Sequence, residues 1–172
     1  EALANLNSKP TLVITDSQAF DQVSKDTPLD IPITSFSILF ARQKGDLNEL
    51  VKGAYTIDRL KDGDKILIAE GCTHHRQKDD IGTYKIPEWI KERTKKDLTF
   101  EFTSGVTFTE DIAKYSLIIH CGACMMNRAA MINRIEKAKN LNVPIVNYGI
   151  LIAYLKGVLD RSLEPIKAKD LF

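Results

Sequence analysis

The sequence predicts an α/β protein. A small α/β unit over residues 1–64 is followed over 65–172 by a doubly wound, mainly parallel four-stranded sheet with helices on both faces. Three observations predict this. Short apolar, β-branched runs recur along the whole chain, and segments with helical periodicity or capping residues lie between them. In the second part the strand candidates also come at regular intervals, as parallel strands joined by right-handed crossovers require.

The first part opens with "TLVIT" (11–15), a strand candidate, after which Asp16 or Ser17 can cap a helix through about Ser24. "PITSFSILF" (32–40) reads as a strand of period two, with Thr34, Phe36, Ile38 and Phe40 on one face and Ile33, Ser35, Ser37 and Leu39 on the other. A helix is expected from about Asp46 to Lys61, with Leu47, Leu50, Val51, Ala54, Ile57 and Leu60 as its apolar stripe and Gly63 in "KDGD" as its stop. So short a unit buries little core alone. It is expected to cover itself against the second part, against another copy through edge-to-edge sheet pairing in a homodimer, or against both.

Four strand candidates follow: 65–69 in "KILIAEG", 98–102 in "LTFEF", 116–120 in "SLIIH" and 144–147 in "PIVN". Pro87 suits a first helical turn, with Glu88 beside it and Lys95 and Lys96 at the far end. Thr107 and Glu110 fit a capping box before "DIAKY". A longer helix is expected from about Cys124 to Lys139, and Asn147 can cap an apolar one through Val158.

Composition narrows the function classes. A net charge of +1 over 172 residues gives no electrostatic reason to expect nucleic acid or an anionic membrane as partner. No apolar run approaches the roughly 18 residues that a membrane helix needs. "EALANLNSKP" has neither the basic nor the apolar region of a signal peptide. Three cysteines do not make a disulfide framework, and the chain is expected to be cytoplasmic. Neither G-x-x-x-x-G-K-[ST] nor G-x-G-x-x-G occurs, so nothing here cradles a nucleotide phosphate. No Ser-His-Asp or paired-carboxylate arrangement stands out.

The chemistry is concentrated elsewhere. All three cysteines and all three histidines fall in "EGCTHHR", with Cys72, His74 and His75, and "HCGACMMNR", with His120, Cys121 and Cys124. Each stretch lies just past a strand candidate. In the common order 2-1-3-4 those two strands are neighbours, and their C-terminal ends flank the crevice where such sheets bind ligands. Cys121 and Cys124 are expected to begin a helix whose positive end favours thiolates, with Gly122 permitting a tight turn between them.

Four readings fit this pattern. Buried cysteines without a role leave unexplained why every Cys and His gathers at one edge. A C-x-x-C redox dithiol leaves Cys72 and two histidines unused. Structural zinc in a Cys3His site, with His74 or His120 as fourth ligand, would make the chain a zinc-stabilised interaction module with no carrier function. An iron–sulfur cluster on three thiolates would leave one iron for a histidine, a carboxylate or an external ligand. Residue chemistry alone leaves zinc and iron–sulfur both open.

The pattern C-x-H, 45 residues, H-C-x-x-C resembles that of the FeFe-hydrogenase maturation GTPase family, HydF. "TSFSILFARQKGDL", "LKDGDKILIAEGCTHH", "DDIGTYKIPEWI", "HCGACMMNR" and "VPIVNYGILIAYLKG" all resemble that family's C-terminal half. The resemblance implies a dimerisation domain followed by a cluster-binding domain. In the latter Cys72, Cys121 and Cys124 hold a 4Fe-4S cluster, and His74 and His120 are fourth ligand or neighbours of the ligands. It implies a scaffold that carries a diiron precursor to the immature FeFe-hydrogenase, working with two radical-SAM maturases. The family's GTPase domain has no counterpart among these residues, which are read as a fragment or a variant without it. GTP would act only through that domain, and no enzymatic activity is assigned here.

Overall fold

The computed structural model describes residues 5–71, 80–105 and 108–167. Strands β3 (Lys65–Glu70), β4 (Thr99–Ser104), β5 (Leu117–His120) and β6 (Ile145–Asn147) form one parallel sheet in the order β4-β3-β5-β6. This is the expected 2-1-3-4 arrangement. Ile66 lies opposite Phe100 and Leu117, and Ile118 lies opposite Ile145. Ile66–Ala69 and Leu117–Ile119 are buried on both sides of the sheet, so both faces must be covered. The chain leaves β3 for β4 through α4 (Ile86–Thr94) and leaves β5 for β6, in the opposite direction, through α5 (Arg128–Asn140). Right-handed crossovers in opposite directions put those two helices on opposite faces.

Local signals set most of the boundaries. Asp80 accepts the N–H groups of Gly82 and Thr83 at 2.9 and 3.0 Å, starting a π-helical turn (Ile81–Lys85) that leads into α4, with Pro87 in its first turn. Asn147 accepts the Ile150 N–H at 2.8 Å and starts α6 (Tyr148–Leu155), as expected. A last helix, α7 (Leu159–Lys167), ends the described chain. The helix expected after Thr107 is not formed. Thr107 lies outside the described residues, and Asp111–Tyr115 make a short turn instead. Side chains fix that turn onto β4, with Tyr115 Oη and Lys114 Nζ donating to Glu101 at 2.7 and 2.9 Å.

In the first part β1 (Val13–Thr15) leads through a 3-10 turn and α1 (Phe20–Asp26) to β2 (Ile33–Ser35), which pairs with β1 in parallel. The strand expected over 32–40 is corrected: it stops at Ser35, and α2 (Phe36–Lys44) follows at once. Ser35 Oγ accepts the Ile38 N–H at 3.3 Å, an N-cap that ends the extended backbone. The alternation in "SFSILF" also fits a helix, with Ile38 and Ala41 buried three apart and Phe36 and Phe40 exposed four apart. The helix expected over 46–61 is shorter. It is α3 (Leu47–Ala54), capped by Asp46, followed by a 3-10 turn at Ile57–Arg59. Its break lies where Tyr55 meets Tyr154 edge-on at 5.1 Å.

The small first part is not an independent core. Phe20, Ile33, Ile38 and Leu50 belong to one hydrophobic cluster with Ile118, Val146 and Ile150. Arg161 on α7 ties the two parts together by donating to the carbonyls of Ser24, Thr27 and Pro28 at 2.7–2.9 Å. Helix α3 closes the β6 edge at such short range that a Cβ on Gly53 would sit 2.0 Å from the Ile145 carbonyl oxygen. Gly53→Ala is therefore expected to cost about 3 kcal/mol, the upper end for overpacking. It should lower the thermal midpoint by roughly 6–12 °C for a chain of this size. A circular-dichroism melt coincident with that of the unsubstituted protein would mean that α3 does not hold this contact. No helix among the described residues is long and apolar enough to cross a membrane.

Candidate metal centre

At the C-terminal edge of the sheet Ala69 is paired with His120, and His120 with Asn147. The Cys121 N–H continues the ladder to the Ala69 carbonyl at 2.9 Å. One residue further, the Gly71 N–H donates to the Cys121 sulfur at 3.1 Å. The backbone that leads directly into Cys72 is thus in contact with the Cys121 side chain. Cys72, His74 and His75 themselves lie outside the described residues. Among the described residues no group of three or more Cys, His, Asp and Glu side chains is close enough to hold a metal ion.

The two described cysteines do not begin a helix, which corrects that expectation. Helix α5 starts at Arg128, where Asn127 Oδ1 accepts the Ala130 N–H at 2.8 Å. Asn127 is the stronger N-cap in "CGACMMNR", and it leaves Cys121 and Cys124 in the preceding turn. The tight bend also falls on a different residue. Ala123, not Gly122, has the left-handed backbone, with φ of 53°, and its methyl group is buried. Cys121 is half-buried and Cys124 is exposed. Gly71 contributes by lacking a Cβ, which would stand 2.4 Å from the Met126 sulfur.

His120 is completely buried and both its ring nitrogens are engaged. Arg134 Nη1 lies 2.7 Å from Nε2, and the Cys121 carbonyl oxygen lies 2.8 Å from Nδ1. Guanidinium can only donate, so Nε2 accepts, and the ring proton sits on Nδ1 and is donated to Cys121 O. Burial pushes the His120 pKa down to about 4, the Cys121 carbonyl opposes that shift and the Arg134 charge adds to it. The imidazole is therefore neutral and acts as a strut between Arg134 and the backbone of the cysteine turn.

Arg134 is only 5% exposed. Its second nitrogen donates to the Gly105 carbonyl at 2.9 Å, and the guanidinium stacks on Phe108 at 4.9 Å. Burial lowers its pKa while the neighbouring Cys121 sulfur raises it. The signal was present: Met131, Arg134, Ile135 and Ala138 form the buried stripe of α5 at helical spacing. Met131 fills the core, whereas Met125 is 79% exposed. A cavity of about 520 Å³ opens beside the turn, lined by Gly71, Phe108, Met126, Asn127, Arg134 and Lys137 among others.

The donor set fits an anionic thiolate-bound centre. The backbone N–H directed at the Cys121 sulfur and the buried Arg134 beside it both favour negative charge on that sulfur. Comparison with known families agrees with the sequence pattern. Residues 48–165 match the hydrogen maturase F tetramerization domain, and residues 1–45 match the hydrogen maturase F dimerization domain. No curated protein matches the chain. With one of these family models spanning more than half of the sequence and the other most of the remainder, the chain belongs to the hydrogen maturase F family.

Proposed function

We propose that this chain is the scaffold and carrier part of FeFe-hydrogenase maturation, holding a 4Fe-4S cluster on Cys72, Cys121 and Cys124. The single observation that carries this reading is the Gly71 N–H bond to Cys121 sulfur at 3.1 Å. It brings the start of one cysteine segment against the thiol of the other. When bound, the cluster would supply one iron position not held by a protein thiolate, suited to receiving and releasing an inorganic ligand. The residues around it would set charge and shape: Gly71 hydrogen-bonds sulfur, Arg134 balances thiolate charge, and the adjoining cavity gives room for cargo. That cargo is a diiron precursor destined for immature FeFe-hydrogenase and made with two radical-SAM maturases. The cytoplasm is the expected setting. Residues 1–64 would provide the homodimer and 65–172 the cluster site, while GTP hydrolysis would belong to another domain.

A transfer assay tests the carrier role. The chain is produced with the two maturases, purified anaerobically and mixed with immature hydrogenase. Hydrogen evolution is expected with this chain and not with Cys121→Ala. Equal, background-level activity from both would remove the carrier role.

The two motif histidines are separable. With both nitrogens of His120 engaged, His74 is the better candidate for the fourth ligand and His120 supports the turn from behind. Pulsed electron paramagnetic resonance of the reduced cluster is expected to retain any imidazole nitrogen coupling in His120→Ala and to lose it in His74→Ala. Loss in His120→Ala alone would make His120 the ligand instead.

A further inference from the structure

The cysteine turn is held by a residue about eighty positions earlier in the chain. Lys44, the last residue of α2, extends its ammonium to the carbonyl oxygens of Cys124 at 2.9 Å, Met126 at 3.2 Å and Ala123 at 3.4 Å. An ammonium has three N–H donors and no acceptor, so three converging carbonyls satisfy it fully. Those carbonyls come from the stretch that contains the left-handed Ala123 and the exposed Cys124. Between β5 and α5 the turn's own backbone supplies the Met126 N–H bond to the Ala123 carbonyl at 3.0 Å, and Lys44 ties in the carbonyls of Cys124 and Met126 as well. Lys44 also falls in the stretch matching the dimerization domain, while the turn falls in the stretch matching the tetramerization domain.

We propose that Lys44 is a positioning residue through which the dimerization segment sets the geometry and charge of the Cys121–Cys124 turn. The Phe40 ring, one helical turn earlier and 5.5 Å from the ammonium, limits where the lysine head can move. Any displacement of α2, as on association of two copies, is transmitted to Ala123, Cys124 and Met126 through one side chain. The ammonium also places a positive charge beside a site that gathers thiolates. The charge effect rests on the proposed cluster, whereas the geometric effect does not.

Two measurements on the full chain separate these effects, using Lys44→Met, which keeps the stem without the ammonium, and Lys44→Arg, which keeps the charge. Hydrogen exchange of the metal-free protein reads geometry. Amides in 121–127 are expected to exchange on the order of tenfold faster in Lys44→Met, as loss of a charged hydrogen-bonding group implies. β3 and the C-terminal half of α5 should be unchanged, and Lys44→Arg should restore most of the protection. Unaltered exchange in 121–127, or acceleration spread evenly over the chain, overturns the proposal. The potential of the reconstituted cluster reads charge. It should move to more negative values in Lys44→Met and return in Lys44→Arg, because a nearby cation favours the reduced state. The same potential in all three proteins overturns the charge effect. Failure of the unsubstituted chain to retain iron would count against the cluster reading, and the exchange measurement would still decide the geometric claim.

Discussion

Cys121→Ala is expected to abolish retention of iron and sulfide, and Cys72→Ala and Cys124→Ala to do the same or leave only a small residue. Three thiolates are the fewest that hold a cubane cluster while leaving one iron exchangeable. Removal of one leaves two irons without a thiolate ligand. Cys121 should be the most sensitive of the three, being half-buried and already oriented by the Gly71 N–H at 3.1 Å. Iron and sulfide analysis after anaerobic reconstitution checks this, with circular dichroism to show that each variant is folded. A Cys72→Ala protein that kept a full complement of both would mean that the two sequence segments do not share a centre.

Arg134→Met should destabilise the metal-free protein by about 3 kcal/mol. The substitution leaves the buried His120 Nε2 and the half-buried Gly105 carbonyl without this donor. Each orphaned group costs roughly 1–3 kcal/mol. The apolar stem of methionine recovers part of this by avoiding burial of a charge. Arg134→Lys should fall between the two, since an ammonium cannot reproduce the planar fork that spans a ring nitrogen and a carbonyl. Urea unfolding monitored by circular dichroism measures both. A methionine variant as stable as the original protein would show that the Arg134–His120–Cys121 chain contributes nothing to holding the turn.

The sheet was legible because its strands are buried on both faces and read as continuous apolar runs. "ILIA" and "LII" are Ile66–Ala69 and Leu117–Ile119, and their adjacency follows from the commonest parallel order. The stretch 32–40 was not legible as strand then helix. Its period-two alternation and its i,i+3 stripe coincide over so few residues, and only the Ser35 cap decides between them. In "CGACMMNR" the helix starts later than the cysteines suggest, because Asn127 competes better for the first turn than either of them. Arg134 could have been assigned to the interior from the spacing of Met131, Ile135 and Ala138. Lys44 could not. Its partners lie about eighty residues away, and a lysine at the C-terminal end of a helix already has an ordinary explanation in the helix dipole.

Convergence of two distant segments on one iron–sulfur centre is best tested by elemental analysis. The protein is purified and reconstituted anaerobically, and iron, acid-labile sulfide and zinc are measured on the same sample as its visible spectrum. Iron and sulfide in equal amounts, approaching four of each per chain as a 4Fe-4S cluster requires, with broad thiolate-to-iron absorption near ~400 nm, is the expected result. A colourless protein carrying a single zinc per chain and no sulfide would contradict it and point to a Cys3His structural site.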